Sequence, residues 1–290
     1  MASGSRVCPN CGKLNSVEDS SCFYCKKRFP GPVQASLGGF WGDFSADGAP
    51  GTKLVALICL VVYALLMVSD GPFRLELSVA GSFKLSSLLR FGVLFADLVY
   101  AEPWRLLSAV FLHLGLFHIA MNLFGLVGLG REVERRYGTA RFLVLFTITG
   151  VLGFAVSQWW YERLYGSSPP TAGASGALFG LLGAEIGRMW GTRDPAWKRQ
   201  LVNYLLGALI WHFAMPAMNT AAHLGGFFVG VLLARLFEWE KRPELRAVPL
   251  RILAAICVLA SVGSLVLSAR SPVWKQARAL EIARGEEVQP

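Results

Sequence analysis

Residues 171–180 read "TAGASGALFG". A single serine, Ser175, stands there among alanines, glycines, a leucine and a phenylalanine, inside a stretch, 164–184, that holds no Asp, Glu, Lys or Arg. Its surroundings suit lipid, and a hydroxyl in hydrocarbon is costly unless another group satisfies it. The rest of the chain points the same way. Of 290 residues 54% are hydrophobic and only 16% charged, with a mean hydropathy of +0.47, against roughly 25% charged residues in soluble domains. Charge-free stretches recur at 54–69, 106–130, 142–161, 164–184, 200–234 and 252–269. A bilayer core takes about 20 apolar residues per helix. The stretch 200–234 is too long for one span and is broken by "MPAMNT" at 215–220, where proline removes a backbone donor and favours a turn. These features predict an all-α polytopic membrane protein with seven helices.

Basic residues orient it. Loops 131–141, 188–199 and 235–251 carry 4, 4 and 5 Lys or Arg, whereas 161–174 and 216–221 carry 1 and 0. By the positive-inside rule the first three face the cytoplasm. That places the N-terminus inside, in what we expect to be the plasma (inner) membrane, and the tail after the seventh helix outside. The net charge of +9 is then accounted for by loops at an anionic leaflet, and no nucleic-acid partner is expected. Residues 1–53 hold no apolar run suited to a secretory signal.

They hold "CPNCGKLNSVEDSSCFYC" instead, with Cys8, Cys11, Cys22 and Cys25 as CxxC, ten residues, CxxC. Two residues between thiols let one tight turn aim both sulfurs at one ion, and two such turns complete the tetrahedron that zinc prefers. A disulfide pair is the competing reading, disfavoured on the reducing cytoplasmic side. Residues 6–29 resemble a short zinc ribbon. Four thiolates leave no open position for water, so structural Zn2+ is the expected cofactor, with none for catalysis. The expected organisation is a ribbon at 1–30, a Gly/Pro/Ala/Ser-rich linker at 31–52, a six-helix core at 53–240 and a further transmembrane helix with its tail at 241–290. Cys59 and Cys257, inside apolar helices, read as packing residues.

All four histidines, His113, His118, His212 and His223, fall within or beside the apolar stretches. With a fourth helix entering from outside near Thr171, Ser175 lies about four residues down, roughly 6 Å at 1.5 Å per residue. His223 is equally far below the 216–221 loop. A second helix starting near Gly115 puts His118 at the same level and Asn122 one turn below it on the same face. The segment 104–112 is then partly interfacial. Gly176/Gly180 and Gly226/Gly230 are small-xxx-small pairs that let two helices approach closely, as a short serine must if it is to reach an imidazole. The alternative for Ser175 taken alone is a bond to its own i−4 carbonyl. The G-x-S-x-G nucleophile elbow does not fit, because Gly176 follows the serine directly.

These residues resemble the rhomboid intramembrane serine proteases. "GASGALFG" (173–180) is similar to that family's serine motif, "AHLGGFFVG" (222–230) to its histidine motif and "HLGLFHIAMN" (113–122) to its second-helix motif. "EPWR" (102–105) and "GREVERRYG" (130–138) add weaker matches, and the likeness covers about residues 54–240. It implies a six-helix core plus one C-terminal helix (6+1), with Ser175 as nucleophile and His223 as general base. His118 and Asn122 would be oxyanion donors, and Phe179 the ring stacked on the base. It also implies single-pass transmembrane protein substrates, cut near the extracytoplasmic face. His113 and His212 read as structural, and 70–103 as a first loop that supports rather than gates. A dyad without an acid suits the setting, since a carboxylate at a helix centre costs roughly 2.5–3.5 kcal/mol on insertion scales. A non-cleaving relative would lack Ser175 or His223, and a transporter would show inverted repeats. Both residues are present, and 54–161 and 164–269 show no repeat.

Overall fold

The computed structural model of the chain describes residues 5–8, 13–17, 19–26, 29, 48–69, 83–95, 98–214, 218–238 and 243–284. Cys11, residues 31–47 of the expected linker, 70–82 of the first loop, 215–217 and the side chain of His212 lie outside the described residues. The chain divides into two compact units, Met1–Gly48 and Ala49–Pro290, which we describe separately.

In the first unit β1 (Ser5–Val7) and β2 (Leu14–Ser16) pair antiparallel, with Ser5 opposite Ser16 and Val7 opposite Leu14. Asn15 ties this hairpin to the second cysteine pair: its Oδ1 accepts the Phe23 N–H at 2.8 Å. Two three-residue strands bury too little to be stable alone.

The second unit is an all-α bundle of a polytopic membrane protein. Its elements are α1 (Pro50–Ser69), α2 (Leu85–Arg90), α3 (Leu98–Ala101), α4 (Arg105–Ser108), α5 (Leu116–Gly125), a π turn (Leu126–Gly130), α6 (Arg131–Tyr137) and α7 (Thr139–Tyr165). There follow α8 (Ser175–Gly191), α9 (Trp197–Ala214), α10 (Thr220–Glu238), α11 (Pro243–Arg270) and α12 (Val273–Ala283). Among the described residues four stretches are long and apolar enough to cross a membrane: Pro50–Ser69, Thr139–Tyr165, Thr220–Phe237 and Val248–Ala283. The helical run 116–137, α8 and α9 occupy the other three expected positions.

Two boundaries differ from the sequence reading. The second helix does not stop at Gly130 but continues through the π turn and α6 to Tyr137. Glu132 pairs with Arg135 at 3.1 Å and with Arg136 on its outer face. Buried Glu134 accepts the Gly51 N–H at 2.8 Å, the Thr52 N–H at 2.7 Å and the hydroxyls of Thr52 and Thr139 at 2.8 and 2.7 Å. One carboxylate thus satisfies orphan donors in the first turn of α1 and at the start of α7. The segment 104–112 packs into the bundle at its end, where Ala109, Val110, Phe111 and Leu112 are all buried. The seventh helix begins at Pro243 rather than after 251, and α12 follows it unforeseen.

Candidate active site

α7, α8 and α10 pack against one another, and glycines set the spacing. A Cβ on Gly226 would overlap the Gly176 carbonyl oxygen, one on Gly230 the Gly180 carbonyl, and one on Gly183 the Phe227 carbonyl. On the third side a Cβ at Gly153 of α7 would stand 2.7 Å from the Ala222 carbonyl oxygen. Backbone meets backbone along this seam, which is the approach a serine needs to reach across two helices.

At its top the Ser175 Oγ and the His223 Nε2 are 2.7 Å apart. The Phe179 ring, one turn below Ser175, stacks on the His223 imidazole at 4.3 Å between centroids and 7° between planes. His223 is buried, so its ring is held by packing. The expected start of this helix near Thr171 requires correction, because α8 begins at Ser175 itself. Pro169 and Pro170 cannot extend a helix backward through paired amides, and Gly173 sits at φ +125°, open only to glycine. Residues 166–174 therefore lead to the serine as non-helical chain, and its N–H is one of the orphan donors of a helix N-terminus. His118 and His223 stand in the first turns of α5 and α10. Three helix N-termini, each with partial positive charge, supply the residues of one site.

His118 approaches through the gap left by Gly173: a Cβ there would be 2.7 Å from the His118 Nε2 and 3.9 Å from the Ser175 Oγ. The Leu114 N–H donates to the His118 Nδ1 at 3.4 Å, so in the neutral ring the proton resides on Nε2, the nitrogen that faces the serine. Asn122 is buried one turn on. Its Nδ2 donates to the His118 carbonyl at 2.9 Å, and its Oδ1 is without a partner among the described residues.

Several residues hold the serine segment in place. Fully buried His113 donates from Nδ1 to the Phe111 carbonyl at 3.3 Å, and its Nε2 accepts the Ala174 N–H at 3.5 Å. The Gly173 N–H reaches the Ala109 carbonyl at 2.8 Å, and Leu94 and Thr171 exchange backbone bonds of 3.0 and 2.8 Å. Asn219 was missed from sequence. Its Oδ1 accepts the Ala222 N–H at 3.0 Å, while its Nδ2 donates to Ser157 at 2.6 Å and Thr171 at 3.3 Å. An asparagine one residue before a helix start is a capping signal that was available.

The first loop is braced from the C-terminal side. Buried Arg105 donates to Glu102 at 2.6 Å and to the carbonyls of Leu89 and Val93 at 2.9 and 3.2 Å. Ser271 donates to the other Glu102 oxygen at 2.5 Å, and Ser268 to Ser108 at 3.2 Å. From α12, Glu281 accepts the Ser86 N–H at 2.9 Å and its hydroxyl at 2.5 Å.

In the N-terminal unit the sulfurs of Cys8, Cys22 and Cys25 lie within 4.8 Å of one another, Cys8 and Cys25 at 3.7 Å. These three thiols could hold a metal ion.

The chain thus falls in the class of polytopic helical membrane proteins, with a serine hydroxyl closed against an imidazole at the mouth of a glycine seam. Comparison narrows the class: residues 100–240 match the Rhomboid domain, and the chain belongs to the rhomboid family. It is 30% identical over 237 residues to the Rhomboid protease GluP of Bacillus subtilis, covering 80% of this chain and 43% of that protein. It is 30% identical over 171 residues to RHOMBOID-like protein 1 of Arabidopsis thaliana, covering 58% and 40%. To the Rhomboid protease GlpG of Yersinia pseudotuberculosis it is 28% identical over 213 residues, covering 70% and 67%. The chain thus spans less than half the length of the first two relatives.

Proposed function

We propose that the protein is an intramembrane serine endopeptidase that cuts transmembrane helices of single-pass membrane proteins near the extracytoplasmic face. The observation that carries this reading is the 2.7 Å approach of the Ser175 Oγ and the His223 Nε2, supported by the names of the GluP and GlpG relatives.

In this reading the His223 Nε2 takes the Ser175 proton as Oγ bonds to the scissile carbonyl carbon. The carbonyl oxygen becomes an oxyanion. Donors suited to it are the His118 Nε2–H, the second Nδ2–H of Asn122 and the N–H of Ser175, with three helix N-termini adding favourable potential. Collapse breaks the C–N bond, and His223 returns its proton to the leaving amine. A water then attacks the acyl carbon, gives its proton to His223, and Ser175 leaves with that proton restored. Phe179 keeps the ring oriented, the task an acid performs in a triad. A Gly-lined mouth admits only unwound backbone, so small residues at the cut and easily unwound segments are favoured.

In this reading the basic loops and the N-terminus face the cytoplasm and the site opens toward the outer face of the plasma membrane, as the positive-inside rule supports. For the cysteines, a tetrahedral ion with Zn–S near 2.3 Å requires sulfurs about 3.8 Å apart. The Cys8–Cys25 separation of 3.7 Å fits this and exceeds a disulfide bond. Cys8, Cys22 and Cys25, with Cys11 as the fourth ligand, would hold a structural Zn2+. Purified protein incubated with a test transmembrane substrate checks the assignment: cleavage is expected, and it must vanish in Ser175→Ala. Metal analysis is expected to give one zinc per chain, lost when residues 1–30 are removed.

A further inference from the structure

α7 and α11 meet in a small apolar knot of Val144, Ala254 and Cys257, all buried. Toward the start of α7 and the N-terminal half of α11 they part around a cavity of about 590 Å³. Arg141 and Arg251 line it, together with the apolar Leu143, Leu250, Ala254 and Val258. Arg141 is pre-oriented, with its guanidinium over the Phe237 ring at 5.7 Å and NH1 donating to the Tyr137 carbonyl at 3.4 Å. No acidic side chain lines the cavity among the described residues. Thr139, the first residue of α7, also lines it, so the positive end of that helix adds to the two guanidinium charges.

We propose that this cavity binds one anionic glycerophospholipid, its phosphate between Arg141 and Arg251 and an acyl chain laid along the small-residue face of α11. Two charges and an apolar wall in a single cavity match a molecule that is anionic at one end and hydrocarbon at the other. From Arg251 to Val258 is seven residues, roughly 10 Å along a helix, enough for the upper part of an acyl chain. A guanidinium held in place, as that of Arg141 is, binds a phosphate with little further loss of freedom. The site lies on the side that carries the basic loops, where anionic lipid attracts such residues, and it is independent of the serine chemistry.

The test uses the full chain in neutral detergent, titrated with phosphatidylglycerol or phosphatidylcholine and read as bound lipid per protein by native mass spectrometry. Phosphatidylglycerol is expected to bind at least tenfold tighter. Each of Arg141→Gln and Arg251→Gln should weaken it about fivefold, and the pair about thirtyfold. Ala255→Leu, which lines the same cavity and leaves both charges, should also displace the lipid. Equal retention of the two lipids overturns the proposal, as does full binding by the double variant. If Ala255→Leu leaves phosphatidylglycerol bound, or millimolar inorganic phosphate removes it, the site is a bare anion patch and the lipid assignment is wrong.

Discussion

The α8–α10 seam and the α7–α11 contact are both helix pairs in one bundle, yet they are built in opposite ways. Along the seam, Gly183, Gly226 and Gly230 have no room for even a methyl group. Along α11, Gly263 has nothing within 4 Å of where a Cβ would stand, and its contact with α7 opens into a cavity lined in part by Arg141 and Arg251. Close backbone approach is what lets a short hydroxyl meet an imidazole across two helices. Where α7 and α11 part, no such approach is made and space is left beside them.

The largest way to break this contrast is Gly230→Ala. The new methyl would overlap the Gly180 carbonyl, forcing the helices apart at a cost of about 3 kcal/mol, and thermal unfolding should show a strong drop together with loss of cleavage. Phe179→Ala leaves the seam closed but frees the imidazole. An aromatic stack is worth roughly 0.5–1.5 kcal/mol, so kcat should fall by up to about tenfold with KM nearly unchanged. Smaller still is Glu281→Gln, which weakens the acceptor for two Ser86 donors at a half-exposed position. About 1 kcal/mol of stability should be lost in thermal unfolding. The smallest effect belongs to Gly263→Ala, where the added methyl meets open space and favours the helix. Stability should stay within about 1 kcal/mol of the parent, on the stabilising side, and a loss comparable to that of Gly230→Ala would erase the contrast.

Much of the seam was legible in the sequence because its signals are local. "GASGALFG" and "AHLGGFFVG" carry the serine, the histidine and the glycine spacing within a few residues each, and Phe179 lies one turn from Ser175. The helix start was misplaced by four residues, although Pro169, Pro170 and Gly173 held the information. The chain that leads to Ser175 is non-helical, so helical rise does not measure its depth. The continuation of the second helix to Tyr137 was hidden because its charged face reads as a loop. It is stabilised by Glu134 bonding Thr52, 82 positions away. The brace by α12 depends on Glu281 meeting Ser86 across 195 positions, and the cavity on residues of α7 and α11 that lie about a hundred positions apart. No periodicity within one segment encodes such pairings.

The central claim is that Ser175 is a nucleophile activated by the imidazole across the seam. Its most direct test treats the purified protein with a fluorophosphonate and locates the adduct by mass spectrometry. One adduct on Ser175 is expected, and it should be lost in His223→Ala while thermal unfolding stays close to the parent's. Labelling that falls on another serine, or that proceeds unchanged in His223→Ala, would contradict the account.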